Sequence, residues 1–290
     1  MKLKTTDVKI KGALCVIFAA FGFSSMSVFV RLAGDLPTMQ KAFFRNFVAL
    51  IAVSVIILKN KTGFLPKKES IPFLLGRSVF GLLGLVCNFY AVDRLLLSDA
   101  NMLNKLSPFF AIIFSAVILK EYPKFIQILG VITALLGSVL IIKPSFSNTD
   151  TVASLAGLLG GMGAGIAYTF VRKLGSLKED GSKIIFFFSL FSCIFCFPFF
   201  IIEHTPFSPL QLLYLILAGV SACIGQFGIT KAYIYAPAKE ISVYDYSQVL
   251  FAVFFGFIIF NQKPDIFSIL GYILICGAGI GMFFYNKNRT

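Results

Sequence analysis

Ten apolar runs, each near the roughly 20 residues that a helix needs to cross a bilayer, follow one another along this chain with short polar breaks between them. They occupy residues 12–31, 39–58, 71–91, 98–119, 123–143, 153–172, 183–202, 209–231, 239–260 and 264–285. Hydrocarbon offers no water to backbone N–H and C=O groups, so such runs must close their hydrogen bonds internally, as helices. The reading is an all-α integral membrane protein of ten transmembrane helices, with no segment long enough for an added soluble domain. A chain that is 58% apolar and 13% charged agrees; soluble domains carry about twice that share of charge. The first run is too long for a signal-peptide core and ends at Arg31, so it is expected to stay as the first span. Short turns are expected at 121–123, 236–239 and 261–264, each with a proline.

The net charge of +13 would suggest nucleic acid in a soluble protein. Its distribution points to membrane topology instead. With the amino terminus cytoplasmic, eighteen of the Lys and Arg residues fall on the cytoplasmic side. Five (Arg31, Lys41, Arg94, Lys143 and Lys263) fall on the other, and Arg45, Arg77 and Lys105 fall within spans. Basic residues gather in cytoplasmic loops, so both termini are expected in the cytoplasm of a multi-pass cell-membrane protein, with no nucleic-acid partner. The bundle thus has a lysine-rich end and a lysine-poor end.

Shifting the sequence by 141 positions superposes its two halves. Phe29-Val30-Arg31 falls on Phe170-Val171-Arg172, Gly22 on Gly163 and Gly34 on Gly175. Phe110-Ala111 falls on Phe251-Ala252, Pro123 on Pro264, and Ile128-Leu129-Gly130 on Ile269-Leu270-Gly271. Apolar residues match by composition alone; proline, arginine and glycine at one constant offset do not. The units are 12–143 and 152–285. Each holds five spans, an odd number, so the second must be inverted relative to the first. Inverted repeats let two similar halves exchange roles around a central site.

Polar side chains within the spans mark where that site would be, because they are costly in lipid. Asn101, Asn104, Lys105 and Pro108 lie at i, i+3, i+4 and i+7, on one face of span four. Ser242, Asp245, Tyr246 and Val249 are their equivalents on span nine, with Gln248 alongside. At 1.5 Å per residue, Lys105 and Asp245 each lie about 9 Å inside opposite surfaces and need not touch. They read as two stations, Lys105 attracting an anion and Asp245 taking an amine or a coupling proton; an ion pair or two snorkelling groups is the structural alternative. Arg77 is placed to pair with Asp245, while Arg45 is expected to snorkel to the surface. Asn88, Tyr168, Gln226, Tyr233 and Tyr244 are further candidates for a polar lining; tyrosines near span ends are also common interface anchors. Gly157, Gly161 and Gly165 on span six form a small-residue seam for close helix packing. Gly277 and Gly281 suggest a second contact, within the fold or in a homodimer. Cys193 and Cys196 form a C-x-x-C without the partner ligands of a metal site, and are read as packing residues.

Ten spans in two inverted halves, with Leu106-Ser107-Pro108 followed by Lys120-Glu121 and Gly130, resemble the drug/metabolite transporter superfamily, specifically its EamA-type members. Phe43-Phe44-Arg45-Asn46 and Tyr244-Asp245-Tyr246-Ser247 are similar to a branch with proposed S-adenosylmethionine and small amine or carboxylate carriers. Val249 stands where proline is usual and Gln262 where glutamate is usual. The resemblance implies a central cavity lined mainly by spans 1, 3, 4, 6, 8 and 9.

No phosphate-binding loop is present in the sequence, and the one histidine, His204, sits in a loop beside Glu203. Neither an ATP-driven pump nor a membrane-embedded enzyme is expected, and no cofactor or metal. The reading is a secondary carrier that moves a small polar or amphiphilic metabolite by alternating access. One anion partner and one cation partner favour a zwitterion, such as an amino acid or S-adenosylmethionine. A multidrug or amphiphile exporter, a lipid scramblase and a channel stay open as alternatives.

Overall fold

The computed structural model describes residues 5–120, 124–142, 149–202, 205–235 and 242–287. Within these, the side chains at 5–10, 149–150, 230–231, 233–235, 242–243, 282–283 and 286–287 are excepted. The turns expected at 121–123 and 236–239, His204, and the side chains of Tyr233 and Ser242 therefore lie outside the described residues.

The helices are α1 (Thr5–Leu32), α2 (Thr38–Asn60), α3 (Ile71–Arg94), α4 (Leu97–Asn104), α5 (Ser107–Ile118), α6 (Phe125–Ile142), α7 (Thr149–Ser176), α8 (Gly181–Ile202), α9 (Pro209–Tyr235), α10 (Ser247–Phe260) and α11 (Ile266–Lys287). Counting α4 and α5 as one span, eight are long and apolar enough to cross a membrane. Two shorter apolar helices, Tyr244–Phe260 and Ile266–Gly281, complete the ten. Leu58, Leu83, Ile202, Leu250 and Phe267 stand exposed on their outer faces, as a lipid-facing surface requires.

Spans four and nine are not the continuous helices their sequences suggest. Pro108 has no N–H for the Asn104 carbonyl, and the chain breaks between Asn104 and Ser107. Span nine opens as a 3-10 turn over Ser242–Tyr246 before α10 begins. It closes at Asn261, whose left-handed φ of 52° turns the backbone back so that the Gln262 N–H reaches Gly256 O at 2.9 Å. Asparagine tolerates that conformation better than most residues. Gln262 Oε1 in turn accepts the Leu97 N–H at 3.0 Å, satisfying one of the donors that a helix start leaves without a partner.

Packing follows the repeat. Helix α1 packs on α9 and α10, and its equivalent α7 packs on α3 and on α4 and α5. The self-related pairs α2–α8, α6–α11 and α4–α10 also meet. Two glycine crossings carry the same relation. A Cβ on Gly22 would stand 2.8 Å from the Gly225 nitrogen, and one on Gly163 would stand 2.9 Å from the Gly84 Cα. Gly84 and Gly225 are themselves 141 apart, so one close approach is built twice.

Along α7 the seam lies against span four. A Cβ at Gly157 would meet the Leu103 side chain at 2.9 Å, one at Gly161 the Leu103 carbonyl at 2.5 Å, and one at Gly165 the Ser107 carbonyl at 2.7 Å. Gly277 and Gly281 differ: a Cβ at either meets nothing within 4 Å among the described residues, so no close helix contact is seen there. Cys193 and Cys196 are buried free thiols.

Candidate functional site

Lys105 sits at the break in span four and Asp245 in the 3-10 turn of span nine. Their side chains form an ion pair, Nζ to Oδ2, at 2.7 Å. The expectation of two separate stations is thereby corrected. It treated each span as a straight helix counted from its own surface, whereas both are broken at the pair. Arg77 is accordingly not the partner of Asp245. Because Asp245 is the repeat equivalent of Asn104, the pair joins neighbouring positions of the two halves. Equivalent places can touch only near the axis that relates them, and an inverted repeat's axis runs in the membrane plane. The ion pair therefore marks mid-depth.

A polar chain leads away from it. Gln248 Nε2 donates to Asn101 Oδ1 at 2.6 Å, and Ser27 Oγ reaches the same oxygen at 3.4 Å. Asn101 Nδ2 is held by Leu97 O at 2.7 Å. Spans one, four and nine thus meet at one buried amide. Asn104 ends α4 half-buried, and Tyr244 stands exposed on the turn beside Asp245.

The deep arginines form a second group. Arg45 is buried, and its Nη1 donates to Asn46 Oδ1 at 2.7 Å. It does not snorkel, because the face of Phe188 on α8 receives it 5.7 Å from the ring centre. Arg77 lies over the same ring at 4.2 Å, its guanidinium occupying the space where a side chain on Gly81 would be. Tyr168 is half-exposed and lies within electrostatic reach of Asp245, Arg77 and Arg45. Asn88 is buried beside Gly160, and its Oδ1 has no partner among the described residues. Gln226 lies half-buried on α9, within span eight.

Each end of the bundle carries a cleft, and the repeat relates the two. At the lysine-poor end a cleft of about 810 Å³ is lined by Arg31, Asp35, Asp93, Arg94 and Phe260 among others. At the lysine-rich end one of about 260 Å³ is lined by Leu119, Lys120, Arg172, Lys173 and Ser176 among others. Arg31, Asp35 and Phe260 are the equivalents of Arg172, Ser176 and Leu119. The same mouth is thus wide at one end and narrow at the other; only the first has the volume of a typical small-molecule site. Near the narrow mouth the loops are tied. The Lys67 N–H meets Glu179 Oε2 at 3.0 Å, Lys67 Nζ meets Leu177 O at 2.8 Å, and Lys183 Nζ meets Leu65 O at 2.8 Å.

Two polar pairs were not foreseen. Lys41, assigned to the lysine-poor loops, is buried in α2 and pairs with Asp93 at 2.7 Å. Asp99, at the start of span four, is bonded by the Tyr272 hydroxyl and by Ser268 Oγ at 3.3 Å, fixing span four to span ten. Acidic residues bordering spans were the available signal for both.

Comparison with known proteins agrees with this architecture. The EamA-like transporter family matches residues 10–143 and again 151–284. The pseudopaline exporter CntI of Pseudomonas aeruginosa is 31% identical, covering 95% of this chain and 97% of its own. An uncharacterized transporter of Helicobacter pylori is 28% identical over 93% of each chain. Human solute carrier family 35 member G1 is 28% identical over 93% of this chain and 78% of its own. A solved crystal structure, 14% identical, superposes with a TM-score of 0.68 over 96% of this chain and 99% of the other, a likeness of fold. The chain belongs to the EamA-like transporter family and is a multi-pass membrane transporter.

Proposed function

We propose that the chain is a secondary carrier that moves a small zwitterionic metabolite across the cell membrane by alternating access, with Lys105 and Asp245 as its central station. The observation that carries this reading is the ion pair itself. Two opposite charges drawn from both halves meet near the repeat axis, where either half could release them. In this structure each neutralises the other. A substrate bearing a carboxylate and an ammonium would replace the partner of each without leaving a buried charge uncompensated, the arrangement that costs most. Protonation of Asp245 would open the pair as well, which makes it the candidate coupling group.

With the termini in the cytoplasm, the wide mouth opens outward. A relative named as an exporter favours outward movement of the substrate. The test is thermal stabilisation of the purified carrier by amino acids, nucleosides, amines, carboxylates and S-adenosylmethionine, since a ligand of the folded state raises apparent stability. Compounds that stabilise the protein then enter counterflow in proteoliposomes. The reading requires a compound whose effect and counterflow are lost in both Lys105→Ala and Asp245→Asn. A compound that both variants still move sinks it. Proton coupling fails separately if Asp245→Asn leaves pH-gradient-driven transport unchanged.

A further inference from the structure

We infer that Arg45 and Arg77 form an anion clamp in the interior of the carrier, so that its substrate carries acidic groups beyond the one that Lys105 would take. This inference rests on the carrier reading above and narrows its substrate class to small metabolites with an excess of carboxylate or phosphate. Both guanidinium groups lie over one ring, that of Phe188, at 5.7 and 4.2 Å. Neither is in an ion pair with a carboxylate among the described residues, where the buried ion pairs are Lys41–Asp93 and Lys105–Asp245. The Nε of each is buried without a hydrogen-bond partner among the described residues. Two like charges in a water-poor interior are strongly unfavourable unless an anion joins them. A phenylalanine face relieves part of that cost but supplies no negative charge.

The fold itself does not require these charges. The repeat places Phe186 opposite Arg45 and Ala218 opposite Arg77, so the same architecture is built in the second half without them. Space is kept for one of them: the Arg77 guanidinium fills the place of a Gly81 side chain, and the repeat equivalent of Gly81 is Ala222. Tyr168 stands within electrostatic reach of both arginines and of Asp245. It connects the clamp to the central pair, so one molecule could present acid groups to the arginines and an ammonium to Asp245. Guanidinium groups match carboxylate and phosphate oxygens in two-point geometry, which lysine does not.

The test compares succinate, citrate, glutamate and glycerol phosphate with uncharged succinamide, read as thermal stabilisation of the purified full chain. At least one of the four anions is expected to raise the melting temperature, with succinamide inert. The effect should disappear in Arg77→Gln and weaken in Gly81→Ala, which displaces the guanidinium while keeping its charge. A purely structural arginine would be destabilising to remove; here the ligand-free Arg77→Met protein is expected to melt at or above the temperature of the parent. Failure of all four anions, or an anion effect that survives Arg77→Gln, overturns the clamp. So does a marked loss of ligand-free stability in Arg77→Met. If instead the anion effect depends on Arg77 but not on Lys105 or Asp245, the clamp stands and the central-station reading falls.

Discussion

Lys105 and Asp245 stand 140 positions apart, one short of the repeat offset, and meet at 2.7 Å. The duplication thus supplies the scaffold while the charges break its symmetry: Asn104 is the equivalent of Asp245, and Tyr246 that of Lys105. A strictly symmetric pair would place like beside like. Divergence at neighbouring positions near the axis is what lets two similar halves meet in an ion pair.

Breaking that pair should cost stability, and removing it whole should not. Side-chain exposure of 8% for Lys105 and 29% for Asp245 discounts the 3–5 kcal/mol of a fully buried pair to about 1–3 kcal/mol for Asp245→Leu or Lys105→Met. The double variant Lys105→Met/Asp245→Leu should recover to within about 1 kcal/mol of the parent while losing transport. Thermal unfolding of the four proteins checks the cycle. Additive losses would mean that the two groups do not interact.

Glycines that look alike in the sequence should respond differently to alanine. At Gly161 the new methyl group meets the backbone carbonyl of Leu103 at 2.5 Å, so α7 must move, at a cost of about 1–3 kcal/mol. At Gly277 nothing among the described residues lies within 4 Å, and alanine should be neutral or stabilising by up to about 1 kcal/mol through helix propensity. Unfolding in detergent measures both.

The tie at the lysine-rich end should be pH-dependent. Burial pushes the Glu179 carboxyl up, but the neighbouring Ser70 hydroxyl and the N–H groups of Lys67 and Asp180 outweigh it, aided by the Lys183 charge, and hold it below the ordinary 4.5. A carboxyl whose folded pKa is depressed contributes its stability in full above the unfolded value. That contribution is lost as pH falls through the folded one. The stability difference between the parent and Glu179→Gln should therefore be constant from neutral pH down to about 5 and shrink below about 4. A difference that grows in acid would contradict the assignment.

Tyr272→Phe removes one hydroxyl hydrogen bond from the buried Asp99 carboxylate, which keeps Ser268 Oγ at 3.3 Å among its partners. A loss of about 1–3 kcal/mol is expected, visible in the same melts. Tyr90→Phe, on the half-buried rim of the wide mouth, serves as the neutral control.

The fold was legible because lipid leaves a chain few choices: run length gave the spans, and the offset of Pro123, Arg31 and Gly22 gave the duplication. Where side chains would meet was less legible, for definite reasons. A break in a helix is not written in hydropathy, so counting along straight spans separated Lys105 from Asp245. A buried cation accepts an unexpected partner when one is near. Arg45 found the Phe188 ring and Asn46, and Lys41 found Asp93; depth along the sequence pointed both to the surface. Asn101 and Gln248 were singled out for their cost in lipid, but their joining through one amide depends on how spans four and nine cross.

The most direct measurement labels the two related mouths from opposite sides of sealed vesicles. Asp35→Cys and Ser176→Cys are equivalent positions at the wide and narrow ends, read with a membrane-impermeant maleimide above the background of the parent. In the resting carrier Asp35→Cys should react severalfold faster. Adding Glu179→Gln, which loosens the tie near the narrow mouth, should raise labelling at Ser176→Cys and lower it at Asp35→Cys. Such opposite movement is what two halves exchanging roles around Lys105 and Asp245 require. Labelling that rises at both mouths together, or a narrow mouth that opens with no change at the wide one, would contradict alternating access.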